Sequence, residues 1–129
     1  MKLDKELKDL RKKLEKAWCR ETSYYKDQWT PENPSCGQCM ITTRYLVEHF
    51  GARAAFAKAV LPDGTEAQGG HFFAEIEGKV VDLTADQFPG GTEIIKSRNV
   101  SLGYLKRGED GRRRYDMLTR RLNDATLMP

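Results

Sequence analysis

The chain has 129 residues, of which 39% are hydrophobic and 32% charged, enough for one domain (1–129) around one modest core. Nothing approaches 18 consecutive apolar residues, and Met1-Lys2-Leu3-Asp4-Lys5 lacks the apolar stretch of a secretory signal, so neither a membrane span nor export is expected. Three cysteines make a disulfide framework unnatural, and the net charge of +3 is mild; a reducing cytoplasm fits both.

Leu3, Leu7, Leu10, Leu14 and Ala17/Trp18 recur at spacings of four and three, which predicts an amphipathic helix packed across the domain. Cys19 near its end reads as an idle thiol. Glu21 to Ser35 is polar and holds Pro31 and Pro34, so it reads as a loop. Tyr24, Tyr25 and Trp29 are anchors for it. Ser35 is placed to cap a helix whose first turn contains Gly37, Gln38 and Cys39 and which runs to Phe50 before Gly51. Its apolar residues, Met40, Ile41, Tyr45, Leu46, Val47 and Phe50, cover a wide arc, so it should be central. Arg53–Leu61, His71–Ile76 and Lys79–Leu83 read as strands, the last two joined by Glu77-Gly78. Thr84 should cap a short turn through Phe88. Pro89-Gly90-Gly91 breaks it, Thr92–Val100 suits a further strand, and Arg112–Ala125 a final helix with Tyr115, Leu118 and Leu122 inward.

A cysteine in the first turn of a helix gains from the dipole and from free amide groups, which favour thiolate and can stabilise an oxyanion. Cys39 is therefore a candidate nucleophile, and Gln38 beside it a candidate oxyanion donor. A two-residue turn at Glu77-Gly78 pairs Ile76 with Lys79 and puts His71 and Asp82 on one face as diagonal neighbours, within reach of a hydrogen bond. Asp82 can then orient His71 while the other ring nitrogen meets the thiol. A slip of one residue would separate them. The Tyr24–Trp29 loop is the expected wall of a substrate pocket. His49 lies at the far end of the helix from Cys39. No cofactor or metal is needed for this chemistry.

Asn33-Pro34-Ser35-Cys36-Gly37-Gln38-Cys39, then His71-Phe72, then Asp82-Leu83-Thr84-Ala85-Asp86-Gln87-Phe88 resemble the N-P-S-x-G-Q-C, H-aromatic and D-L-T-x-x-Q-F segments of the YunG-like family of small bacterial proteins. Arg114-Tyr115-Asp116-Met117-Leu118 is similar to that family's C-terminal helix. The resemblance implies an α+β fold with a papain-like or transglutaminase-like core: a nucleophile helix on a small antiparallel sheet, with terminal helices flanking it. It implies the order Cys39, His71, Asp82, with Cys36 at a variable position. The function expected is thiol-dependent acyl transfer on a peptide, amide or protein substrate.

Three other readings compete. Cys36-Gly37-Gln38-Cys39 is a C-x-x-C at a helix start, as in redox proteins, but Trp29–Pro34 cannot be the central strand such a motif follows. Cys36 and Cys39 with His71 and either Asp82 or Cys19 could hold zinc, though a second closely spaced ligand pair is missing. Lys96 to Arg121 contains nine basic residues against three acidic, a net of +6. Arg112, Arg113 and Arg114 could therefore serve a binding module for an acidic or nucleic-acid partner.

Overall fold

A computed structural model describes residues 2–127; Met1, Met128 and Pro129 lie outside the described residues. The architecture is α+β. Helices α1 (Lys2–Ala17), α2 (Cys39–Phe50), α3 (Leu102–Leu105) and α4 (Glu109–Leu127) accompany strands β1 (Arg53–Val60), β2 (His71–Ile76), β3 (Lys79–Val81) and β4 (Glu93–Val100). The strands form one antiparallel sheet in the order β3-β2-β1-β4.

The leucine stripe of α1 is satisfied inside the chain. Leu10, Leu14 and Ala17 are buried against Leu118 and Leu122 of α4, Ile41 and Leu46 of α2, and Ala74 and Ile76 of β2. Full burial of a leucine such as Leu14 or Leu118 contributes about 1.5–3 kcal/mol. This shared core sets α2 across β2. Trp18, at the end of α1, donates its indole N–H to Thr42 Oγ1 at 3.1 Å and so fixes the helix against α2.

The β2–β3 register is the expected one, with Ile76 opposite Lys79 and Ala74 opposite Val81. Glu77 (φ 54°) and Gly78 (φ 78°) both take positive φ, as a type I′ hairpin turn requires. The ladder stops at Val81, short of the expected Leu83. Because β3 and β4 lie at opposite edges, residues 82–92 carry the chain from one side of the sheet to the other.

Strand β4 bulges where it meets β1: Phe56 pairs with Arg98 but Ala57 with Lys96. The skipped residue puts Lys96 and Asn99 on one face, where both bond the Glu75 carboxylate. Helix α4 begins at Glu109, three residues before the expected start, with Glu109 and Asp110 in its first turn to complement the dipole. Tyr115, Leu118 and Leu122 are buried as expected, and so is Arg114.

Candidate functional site

Cys39 is the first residue of α2, and the loop before it is tightly constrained. Cys36 N–H bonds Asn33 O at 3.2 Å and Gln38 N–H bonds Ser35 O at 3.1 Å. Gly37 sits at φ +72°, pressed against Ser23 and Tyr24. Ser23 Oγ donates to Cys36 O at 2.7 Å and accepts from Tyr25 N–H, while Tyr24 N–H bonds Gly37 O at 2.9 Å. The two loop segments hold each other.

Ser35 does not cap α2. Gln38 occupies the N-cap position without a side-chain capping bond. The Ser35 hydroxyl is buried and donates instead to Asp86 Oδ1 at 2.7 Å, while Asp86 Oδ2 accepts from Arg11 Nη2 at 2.7 Å. Gln87 completes the connection: its Oε1 accepts from Gly37 N–H at 3.4 Å and its carbonyl accepts from Asn33 Nδ2 at 3.2 Å. The segment after β3 is thereby bonded to the loop that presents Cys39. Thr84 likewise makes no side-chain capping bond to the 3₁₀ turn Ala85–Gln87. Its carbonyl accepts from Gln87 Nε2 at 3.1 Å, and its N–H donates to Asp82 Oδ1 at 3.3 Å.

His71 opens β2 and is 0% exposed. Its Nε2 is 2.7 Å from Asp82 Oδ2. The Phe88 ring meets it edge-on at 5.1 Å. Burial acts to lower the imidazole pKa, but the bond to Asp82 and the adjacent Cys39 side chain outweigh it, and the pKa is pushed up to about 9. Nδ1 is buried with no hydrogen bond of ordinary geometry among the described residues, and the Cys39 thiol beside the ring acts as a hydrogen-bonding neighbour that raises its pKa. With Nε2 committed to Asp82, Nδ1 is the nitrogen left to face the thiol. Burial, and then the neighbouring Cys39, push the Cys36 thiol up.

Cys39 is part of the wall of a cavity of about 460 Å³, together with Tyr24, Tyr25, Met40, Phe72 and Phe88. Gln68, Gly69 and Gly70, the strap that leads into His71, also line it, as do Arg107, Gly108, Asp110, Gly111 and Arg114. Tyr25 Oη donates to Gln68 O at 2.9 Å and ties down the strap. Gly70 lies so close to the Phe56 ring and to Ala57 O that a Cβ would overlap them. Tyr24 is in the wall as expected and is 64% exposed. Tyr25 both anchors the loop and lines the cavity.

Several expected roles are corrected by the geometry. Gln38 is not in the cavity wall; its buried Nε2 donates to Cys19 O at 3.1 Å. The N–H groups of Cys39, Met40 and Ile41, at the start of α2, have no acceptor within the helix. Trp29 is not in the wall either. Its Nε1 donates to Pro34 O at 2.9 Å and Arg20 stacks over its ring, so it braces the loop from behind. Arg114 is no part of a surface patch: it is 2% exposed, bonds Asp110 Oδ2 at 2.8 Å and reaches Thr22 O at 3.4 Å. Arg112 and Arg113 remain exposed. Phe88, Arg107 and the glycine strap are cavity residues that had no assigned role. The sequence signals for them were the Gly69-Gly70 pair directly before His71 and the place of Phe88 at the end of the D-L-T-x-x-Q-F segment.

Cys19, Cys36 and Cys39 are all free thiols. Among the described residues no three His, Cys, Asp or Glu side chains converge as metal ligands. None of the described helices is long and apolar enough to cross a membrane.

A family model described as "YunG protein" matches residues 6–126. The chain is similar to "Uncharacterized protein YunG" of Bacillus subtilis (strain 168), with 36% identity over 80 residues, 62% of this chain and 61% of that protein. The match thus spans under two thirds of the relative's length. No solved structure matches the chain.

Proposed function

The chain belongs to the YunG protein family, and from that premise and the geometry of the site we propose that it is a thiol-dependent acyl-transfer enzyme acting on a peptide, amide or protein substrate. The observation that carries the proposal is the buried His71, bonded to Asp82 through Nε2 at 2.7 Å and interacting with Cys39, a cysteine at a helix N-terminus. In this reading the core is papain-like or transglutaminase-like, and the reducing cytoplasm keeps the three thiols free.

In the proposed reaction His71 Nδ1 carries the ring proton and Cys39 Sγ is the attacking thiolate. The thiolate attacks the carbonyl carbon, and the developing oxyanion is held by first-turn N–H groups of α2. As the C–N bond breaks, Nδ1–H passes its proton to the leaving amine and a thioester remains on Cys39. Water or an amine then attacks the thioester, gives its proton to Nδ1 and releases the thiolate. Asp82 stays ionised throughout and holds the imidazolium. A raised imidazole pKa of about 9 keeps the proton on the ring at neutral pH, as the leaving-group step needs.

The test is alkylation by iodoacetamide across pH, read residue by residue by mass spectrometry. Cys39 should react selectively over Cys19 and Cys36 below neutral pH, and His71→Ala should abolish that selectivity. Slow, uniform labelling of all three cysteines would overturn the proposal.

A further inference from the structure

Part of the cavity wall carries charge that the acyl-transfer chemistry does not use. Two arginines line it, Arg107 and Arg114. Arg114 is neutralised by Asp110, whose other oxygen is taken by Arg113. Arg107 has no carboxylate partner among the described residues. It is nevertheless held in place: its guanidinium lies 3.8 Å from the centroid of the Tyr104 ring, and Nη2 donates to Tyr104 Oη at 2.8 Å. A second guanidinium, Arg98, stands 5.7 Å from the same ring and 4.9 Å from that of Phe56, and it too pairs with no carboxylate among the described residues. Its position follows from the sheet. Phe72, Phe56 and Arg98 form one cross-strand row over β2, β1 and β4. The row begins at Phe72 in the cavity wall and ends at a cation.

We propose that this rim selects substrates bearing a carboxylate, with Arg107 as the specificity residue and Arg98 reinforcing its field. The inference rests on Cys39 being the reactive thiol. A guanidinium stacked on a tyrosine keeps free N–H groups in its plane, which suits a carboxylate fork. An arginine left with water alone would need no ring to hold it; this one is fixed at the mouth of the cavity that contains the thiol. The paired Asp110 adds no free negative charge to oppose an anion there. A chain terminus or an acidic side chain can supply the carboxylate, and the chemistry at Arg107 is the same for both.

The experiment alkylates the full chain with three reagents that differ at one end: iodoacetylglycine, with a terminal carboxylate; iodoacetylaspartamide, with a side-chain carboxylate; and neutral iodoacetylglycinamide. In each case Cys39 Sγ displaces iodide from the methylene carbon, so no acyl-transfer activity is needed. At low salt, at least one acid should modify Cys39 about fivefold faster than the neutral reagent, as expected for one oriented rim charge. The faster of the two acids identifies the source of the carboxylate. Arg107→Gln should remove the preference, whereas Arg112→Gln, which deletes the same charge from an exposed neighbour outside the cavity, should preserve it. Equal rates for acid and neutral reagents, or a preference that survives Arg107→Gln, would overturn the inference and leave the thiol reading standing. Failure of Cys39 to react selectively with any reagent would overturn both.

Discussion

His71 and Asp82 meet across the β2–β3 hairpin with Nε2 2.7 Å from Oδ2, although the last paired residues of that ladder are Ala74 and Val81. The contact therefore lies beyond the hydrogen bonds of the β2–β3 pair, at a point where His71 is paired only with Ala57 of β1. It is supported by Thr84 N–H on the other carboxylate oxygen and by the Phe88 ring against the imidazole. The hairpin aims the two side chains, and the crossover that follows locks them.

Asp82→Asn should lower the His71 pKa from about 9, because burial then acts with less opposition. A proton NMR titration of the chain's two histidines reads this directly. A midpoint that falls by about one unit or more is expected. An unchanged midpoint near 9 would show that Asp82 does not support the imidazolium.

Stability should depend on pH through the same residue. The folded pKa of His71 lies above its ordinary value of 6.5, so the imidazolium's contribution is fully present below pH 6.5 and is lost as pH rises through about 9. The contribution is on the order of 3 kcal/mol for a group with no exposure. Urea unfolding at pH 6 and at pH 9.5 should show the loss in the parent chain and a smaller loss in His71→Gln. The comparison removes the part due to Cys36 and the tyrosines.

Gly37→Ala should destabilise the fold by about 2–3 kcal/mol, combining left-handed strain with overlap on Ser23 Oγ and a 2.8 Å approach to Tyr24 N. Gly64→Ala is the control. It has similarly positive φ, +87°, but nothing within 4 Å, so it should cost about 1 kcal/mol. Equal losses in thermal or urea unfolding would rule out the packing part of this account.

Arg114→Met should cost about 1–3 kcal/mol, since it leaves the buried Thr22 O without its partner and removes one of the two 2.8 Å pairings of the largely exposed Asp110. Arg113→Met removes an exposed pair with the same carboxylate and should stay within about 0.5 kcal/mol. Equilibrium unfolding of the two variants separates a structural arginine from a surface one.

What the sequence disclosed was local. The two residues Glu77 and Gly78 set the hairpin register, and with it the side of the sheet on which His71 and Asp82 emerge. The leucine spacing of α1 and the wide apolar arc of α2 each identified a buried helix. Contacts between distant segments were not readable in this way. Ser35 has the chemistry of a cap, but Asp86, 51 residues away, takes its hydroxyl. Gln38 has the chemistry of an oxyanion donor, but Cys19 O takes its amide. Arg114 looked like one of three equivalent cations. The i, i+4 step from Arg114 to Leu118 places it on the buried side, a signal outweighed by its charge.

The bonds from Ser35, Gly37 and Asn33 to Asp86 and Gln87 join two stretches that the chain itself keeps far apart. The proposed nucleophile is encoded before the exposed turn at Asp63-Gly64 and the proposed acid–base pair after it. A break in the backbone at that turn would divide the proposed machinery into two fragments, each chemically incomplete. Reassembly would rest on β1 finding β2, and on these few polar bonds to restore the alignment of thiol and imidazole. Selective reactivity at Cys39 would then serve as a reporter of complementation between the fragments.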